Sequence, residues 1–202
     1  MGRPNHTSLK LPYFRNGWLI FRRILVNPVF KQFVFSVFEL YEYAATVRRK
    51  FVEKLATLPW SEVEKNREAS FYSMKNIVLH MIDNEDWIVN YVIPGELHKY
   101  VRRKWSEYKS MDEVIAHLNE VEAKTRRFLF TLDDKTLSKK VTLKLQSGEQ
   151  FELSVGECLF QSFTEQLYHM GELIALMWQI NIEPPPMQWF YNNPRQKATN
   201  FD

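Results

Sequence analysis

The chain has 202 residues, of which 45% are hydrophobic and 25% charged, a balance that is typical of globular proteins and excludes a disordered or fibrous chain. Its 27 basic and 24 acidic side chains leave a formal charge of only +3, so no strong overall field marks it as a nucleic-acid binder. The length predicts one domain with a substantial core.

The single cysteine, Cys158, excludes an internal disulfide and a zinc site built from several cysteines. It favours a reducing, intracellular setting. The amino terminus lacks the order of charged, apolar and small residues that defines a secretory signal. Basic or polar residues interrupt the longest apolar runs well short of a membrane span, namely Arg22, Arg23, Lys31 and Gln32. We therefore expect a cytoplasmic protein without a membrane anchor.

Residues 1–28 are predicted to form an amino-terminal extension, because they contain Pro4, Pro12 and Pro28 and alternate basic with aromatic side chains. The main domain is expected to span residues 29–190. Residues 191–202 are expected to form a carboxy-terminal tail.

Two amphipathic helices are predicted in the first half of the domain. From about Val29 to Leu58, apolar residues recur at steps of three and four, which is the spacing of one helical face. Pro59 helps to end this helix. After a polar linker, a second helix is predicted from Tyr72 or Ser73 to Val92, and Pro94-Gly95 ends it.

A basic and aromatic connector, Lys99–Lys109, leads to a third predicted helix, from about Met111 to Leu132. Ser110 stands three residues before Glu113, which is the spacing of a capping box. A second hypothesis for the connector is that its cations and aromatic rings bind single-stranded nucleic acid. A solvated loop between helices is the simpler interpretation, and nucleic acid is not an expected partner.

The hydrophobic period then changes from that of a helix to that of a strand. Val141–Leu145 and Phe151–Val155 alternate apolar with polar residues around Ser147-Gly148, which predicts a short β-hairpin. A fourth helix is predicted from about Gly156 to Asn181, before three consecutive prolines. The four apolar helical faces need mutual cover, so a four-helix bundle is the economical all-α architecture.

The fourth helix carries the stretch Glu165-Gln-Leu-Tyr-His169-Met-Gly-Glu172. Residues four apart share a helical face, so Glu165 and His169 could hold one divalent ion if a third ligand came from elsewhere. His80, on the second predicted helix, is the best third donor. Neutral imidazole and carboxylate suit divalent metals, and three such ligands leave positions open for water or substrate.

These residues resemble the DinB/YfiT family, whose members are proposed to be metal-dependent enzymes. The family has a histidine on the second helix, then a hairpin, then a fourth helix with His-x-x-x-His-Arg-Gly-Gln. This chain has His80 at the first position and Glu165-x-x-x-His169-Met170-Gly171-Glu172 at the second. The likeness extends over most of residues 30–190, including Glu39–Ala44 on the first helix.

The resemblance implies a four-helix bundle with a short β-hairpin before the last helix and a divalent ion at one end of the bundle. Relatives are described as binding that ion through three histidines, and here Glu165 takes the place of one of them. The implied ligands are His80, Glu165 and His169. Zinc or nickel is expected first, with iron or manganese as alternatives. Asn84 and Glu172 are candidates for orienting a ligand through hydrogen bonds.

Relatives include thiol transferases that use low-molecular-weight thiols. The resemblance therefore implies a metal-dependent transferase of the thiol S-transferase type, or a hydrolase, acting on a small-molecule substrate. Glu165, Met170 and Glu172 depart from the family motif. The alternative is accordingly a non-catalytic interaction or stress-related bundle with a degenerate metal site.

Structural roles compete with the metal hypothesis. His80 could be a core imidazole with a local partner. Glu165 and His169 could face water, since they fall opposite a helical stripe of apolar residues: Phe160, Phe163, Leu167, Met170 and Ile174. If they instead face the interior, that stripe needs a second cover, which favours a homodimer. Trp18–Phe21 is the alternative cover.

Overall fold

The computed structural model describes residues 36–145 and 147–193. The predicted extension, residues 1–28, lies outside the described residues, as do the first residues of the first predicted helix and the end of the predicted tail, from residue 194. The predicted domain limits therefore stay predictions.

Four long helices and one antiparallel hairpin form the framework of the described chain. The helices are α1 (Val37–Ala56), α2 (Met74–Glu85), α3 (Met111–Leu129) and α4 (Val155–Trp178), and the strands are β1 (Lys140–Lys144) and β2 (Gln150–Ser154). Shorter helices lie between them at Trp60–Val63, Leu97–Lys99, Trp105–Glu107 and Asp134–Ser138, and another, Trp189–Asn192, follows α4. The all-α bundle with a hairpin before the last long helix is confirmed.

Serine side chains define where the long helices begin. Ser36 and Ser154 start α1 and α4 with complete capping boxes, and Ser73 and Ser110 accept a backbone hydrogen bond at the starts of α2 and α3. Such caps satisfy N–H groups that have no partner inside the helix. The capping box predicted for Ser110 is only half formed, because the Glu113 carboxylate accepts a hydrogen bond from Arg103 instead.

The second helix differs from its prediction in backbone geometry. The α-helical bonding pattern of α2 ends at Glu85, and Asp86–Val92 continues as a π-helix. Apolar spacing does not distinguish these two hydrogen-bonding patterns over so short a stretch. π-Helical turns are rare and occur frequently at functional sites.

Both strands begin and end one residue earlier than the alternation predicted. Lys140 pairs with Ser154, and Leu143 pairs with Phe151. The second strand cannot include Val155, because Ser154 is already the cap of α4 and Val155 is its first helical residue. The second strand of the hairpin is therefore followed directly by α4, the helix on which Glu165 and His169 lie.

The core consists of two apolar clusters. One contains Phe51, Leu55, Ile77, Met81, Leu118, Met170 and Leu173 among others. The second contains Tyr41, Ile88, Val89, Cys158, Leu159 and Phe163 among others. Glu85 and Gln166, both buried and polar, stand in sequence between members of the two clusters, and the buried Arg48 of α1 directly follows Val47 of the first cluster.

These polar residues bond to one another across the bundle. Arg48 Nη1 donates to Glu85 Oε2 at 2.6 Å, and Arg48 Nη2 donates to Glu122 Oε1 at 3.1 Å. Gln166 Nε2 also donates to Glu85 Oε2, at 2.9 Å. All four long helices thus contribute to one buried polar layer. Among the described residues, no helix combines the length and apolar character that a membrane crossing requires.

Candidate metal centre

The packing of α2 against α4 brings the three predicted ligands together. His80 lies on α2, and Glu165 and His169 lie one turn apart on α4. Each offers a potential ligand atom, and these three atoms lie within 4.8 Å of one another. The juxtaposition of two distant stretches of sequence agrees with the expectation drawn from the family resemblance, while the role of these residues as ligands stays a prediction.

The alternative in which Glu165 and His169 face water is wrong for His169, which is only 3% exposed. The apolar stripe on which that alternative relied is not uniformly buried, since Phe160 is 62% exposed. The interior face of α4 instead includes Gln166 and His169 alongside Phe163, Met170 and Leu173. The buried face of α4 therefore includes polar residues. For this reason the positions of the apolar residues alone do not predict which side of the helix is buried.

One oxygen of Glu165 lies between the two imidazoles. Glu165 Oε1 is 3.2 Å from His169 Nε2 and 3.5 Å from His80 Nε2. The two rings lie edge to face, with their centroids 4.7 Å apart. Both Nε2 atoms are thus directed at the same small volume beside a carboxylate.

The second nitrogen of His169 contacts another carboxylate. Nδ1 lies 3.1 Å from Glu172 Oε2. A histidine that ligates a metal commonly donates its other N–H to a carboxylate, which fixes the ring and its tautomer. Glu172 therefore occupies a position that leaves Nε2 of His169 available to a metal ion.

Glu172 is itself held by the loop before α2. The backbone N–H and the hydroxyl of Ser70 donate to its two carboxylate oxygens at 2.8 and 2.7 Å. Burial alone would raise the pKa of Glu172, but the hydrogen bonds from Ser70 and His169 lower it below its ordinary value. The carboxylate is thus ionised where it meets His169.

Aromatic rings enclose the His80 side of the centre. Phe71 stacks on His80 with ring centroids 4.0 Å apart and meets His169 edge-on at 5.3 Å. Burial lowers the pKa of His80, and the neighbouring His169 lowers it further. His80 is consequently neutral at physiological pH, which is the form that binds metals.

The residues present fit a divalent ion. Nε2 of His80 supports this fit, because it is buried and forms no hydrogen bond among the described residues, although Glu165 Oε1 lies 3.5 Å away. Buried polar atoms are rarely left unpaired, because desolvation without a partner is costly. A cation between His80, Glu165 and His169 would satisfy this nitrogen, and two imidazoles with one carboxylate form a donor set that zinc, nickel or iron accepts.

A cavity of about 920 Å³ adjoins the centre and is lined by His80 and Phe71. The connector supplies another part of its wall, including Arg102, Lys104 and Trp105. Most of the connector is exposed, as expected for a loop between helices, but it also forms part of the cavity wall. Asp83 on α2 accepts hydrogen bonds from Arg102 Nε and Trp105 Nε1, both at 2.7 Å, and fastens the connector beside His80.

The remaining candidates lie at different places. Asn84, predicted to orient a ligand, lines the cavity one turn beyond His80, and its Oδ1 is buried with no hydrogen-bond partner. The structure shows no bond from Asn84 to a predicted ligand. Cys158 is buried in the second apolar cluster, and burial raises the pKa of its thiol. We assign it no role in the chemistry.

Ser70, Phe71, Asp83 and Trp105 were not identified from the sequence. Their contacts with the centre depend on how a loop and the connector fold back onto α2 and α4, and local spacing carries no signal for that. Glu172 was found because it lies three residues from His169 on the same helix.

Comparison with known proteins agrees with this architecture. The DinB family model matches residues 31–198. No curated protein matches the chain. Two solved structures are similar in fold. A DinB-like protein from Bacillus cereus is 14% identical, with a TM-score of 0.59, and the match covers 74% of this chain and 94% of that chain. The DinB-like protein YjoA from Bacillus subtilis is 13% identical, with a TM-score of 0.57, and the match covers 74% of this chain and 96% of that chain. The match over most of its length shows that this chain belongs to the DinB family.

Proposed function

We propose that His80, Glu165 and His169 hold one divalent metal ion, with zinc or nickel as first candidates and iron or manganese as alternatives. The observation that carries the proposal is the convergence of their three ligand atoms within 4.8 Å, together with the buried His80 Nε2 that forms no hydrogen bond among the described residues. Family membership supports it, because members of the DinB family are described as binding a divalent ion through residues at the matching motif positions.

We propose further that the protein is a metal-dependent transferase of the thiol S-transferase type, or a hydrolase. A bound ion of this kind would lower the pKa of a coordinated water or thiol and would polarise an electrophile. Glu172 fixes the His169 ring through Nδ1, and Phe71 shields one face of His80 from water. The adjoining cavity is large enough for a small-molecule electrophile.

A non-catalytic bundle with a degenerate site is the second candidate, and one observation favours it. Met170, at the position of the family's arginine, is fully buried in an apolar cluster. Whatever that arginine does in relatives, a buried thioether cannot supply a positive charge or donate a hydrogen bond. Nucleic-acid binding has no comparable support, because Arg102 and Arg103 of the connector already pair with Asp83 and Glu113.

The test of metal binding is elemental analysis of untagged protein and of the His80→Ala/His169→Ala double variant. The expected result is close to one equivalent of metal in the parent protein and little in the variant. Equal metal content in both would overturn the proposal. If metal is bound, a screen of small electrophiles with and without low-molecular-weight thiols separates the reactions, because only the transferase requires the thiol.

We also propose that the protein is a cytoplasmic homodimer. The solvent-facing side of α4 carries three large, exposed aromatic side chains, Phe160, Tyr168 and Trp178, and isologous pairing is the commonest way to cover such a face. The alternative cover, Trp18–Phe21, lies outside the described residues. Sedimentation that shows only monomer at micromolar concentration would contradict the dimer.

A further inference from the structure

The cavity beside His80 has an uneven charge distribution. Its wall contains Arg102, Arg103, Lys104 and Lys144, but Asp83 is its single carboxylate among the described residues. Arg102 is paired with Asp83, and Arg103 is paired with Glu113. These two guanidinium groups are therefore largely neutralised by their neighbours.

The two lysines differ from the arginines. Among the described residues, neither Lys104 Nζ nor Lys144 Nζ has a hydrogen bond or an ion pair, although both side chains line the cavity. They come from separate parts of the chain, since Lys104 belongs to the connector and Lys144 ends β1. Charges of one sign in a cleft with low-dielectric walls attract a ligand of the opposite charge.

The rest of the wall is aromatic and apolar. Phe71, Trp87 and Trp105 line the cavity, and Arg102 covers one face of Trp105 with its guanidinium carbon 4.2 Å from the ring centroid. Flat aromatic side chains of this kind bind apolar, preferably flat, ligand groups.

From these features we propose that the cavity selects an amphipathic organic anion, whose carboxylate or phosphate is bound by Lys104 and Lys144 and whose apolar body lies among the aromatic residues. This inference deepens the proposed function and rests on it, because the cavity is assigned to the substrate of the centre at His80. It gives the basic and aromatic connector a role in substrate selection.

The experiment compares three probes with the same ring system: naphthaleneacetate, its neutral amide naphthaleneacetamide, and naphthyl phosphate. Their affinities are measured by calorimetry with the full chain. We expect the parent protein to bind one or both anions about tenfold more tightly than the amide, which is the scale of two partly exposed ion pairs. The order of the two anions distinguishes carboxylate from phosphate recognition.

The Lys104→Met/Lys144→Met variant is expected to lose this preference and to bind all three probes with similar affinity. Lys135→Met/Lys139→Met is the matched control, because both lysines are exposed and lie outside the cavity lining. It should keep the preference. Equal affinity of the parent protein for anion and amide, no binding of any probe at millimolar concentration, or a preference that persists in Lys104→Met/Lys144→Met would overturn the proposal.

The same measurements on His80→Ala/His169→Ala separate this inference from the proposed function. If the lysines bind the anion, His80→Ala/His169→Ala should keep the preference for anions. If this histidine variant loses the preference while Lys104→Met/Lys144→Met keeps it, the anion binds a metal ion instead. Metal content is measured independently, so a protein without metal would contradict the proposed function alone.

Discussion

The carboxylate of Glu172 lies 3.1 Å from Nδ1 of His169, whereas the other ring nitrogen, Nε2, faces Glu165. The same carboxylate accepts two hydrogen bonds from Ser70. One side chain thus joins a candidate ligand to the loop that carries Phe71 over His80. The loop and the centre are therefore expected to respond together when this carboxylate is removed.

The first prediction concerns Glu172→Ala. Loss of the carboxylate leaves His169 without its orienting partner, and such changes commonly weaken metal binding about 10- to 100-fold. Glu172→Gln should have an intermediate effect, because its amide oxygen can still accept a hydrogen bond but carries no charge. Zinc affinity, measured by competition with a chromophoric chelator, checks both. Glu183→Gln is the control at an exposed position, and an Ala variant with parental affinity would exclude this role for Glu172.

The second prediction is that metal stabilises the folded protein. A ligand that binds only the native state at about one hundred times its Kd adds about 2.7 kcal/mol, which for a domain of this size raises Tm by about 5 to 10 °C. Thermal unfolding of metal-free protein with increasing zinc measures the shift. His80→Ala/His169→Ala should show no shift, whereas His98→Ala, at an exposed position, should respond like the parent. A similar shift in the double variant would place the bound metal elsewhere.

The third prediction concerns the pH dependence of stability in metal-free protein. Burial lowers the pKa of His80 in the folded state, whereas an unfolded histidine titrates near about 6.5. Between these two values the unfolded chain binds more protons, so the free energy of unfolding falls as pH decreases. This decrease in the free energy of unfolding begins at about pH 6.5 and is complete once the pH lies below the lowered pKa of folded His80.

Urea unfolding at several pH values between about 7.5 and 4.5 tests this effect. His80→Gln cannot take up the proton, so its stability should change less with pH than that of the parent over the acidic part of this range. His98→Gln should retain the parental slope. Identical profiles for the parent and His80→Gln would show that burial of His80 contributes no pH dependence.

The sequence predicted the helices well because their signals are local. Apolar spacing identified the four long helices, and the serines at positions 73 and 110 stand where α2 and α3 begin. The two strands were predicted within one residue, since period-two alternation does not specify which residue becomes the cap of the next helix. The π-helical continuation of α2 has no comparable local signal.

The candidate site was only partly predictable. The four-residue spacing of Glu165 and His169 placed both on one face of α4, but it did not show whether that face is buried. Their convergence with His80 came from the family resemblance, because 85 or more residues separate the two stretches and no local pattern connects them. Ser70, Phe71 and Trp105 reach the site only through tertiary folding.

The last prediction concerns the buried polar layer that contains Arg48. Its guanidinium is fully buried between Glu85 and Glu122, so Arg48→Met would leave two buried carboxylates without this partner. Breaking a buried pair in this way typically costs about 3–5 kcal/mol, and urea unfolding should report a loss of that order. Arg127→Met, at an exposed position on α3, should change stability by less than about 0.5 kcal/mol. Similar losses in both variants would mean that the layer adds no stability beyond that of a surface charge. Removing both carboxylates as well, by Glu85→Gln and Glu122→Gln, should recover part of the loss in Arg48→Met, because the desolvated negative charges are then gone.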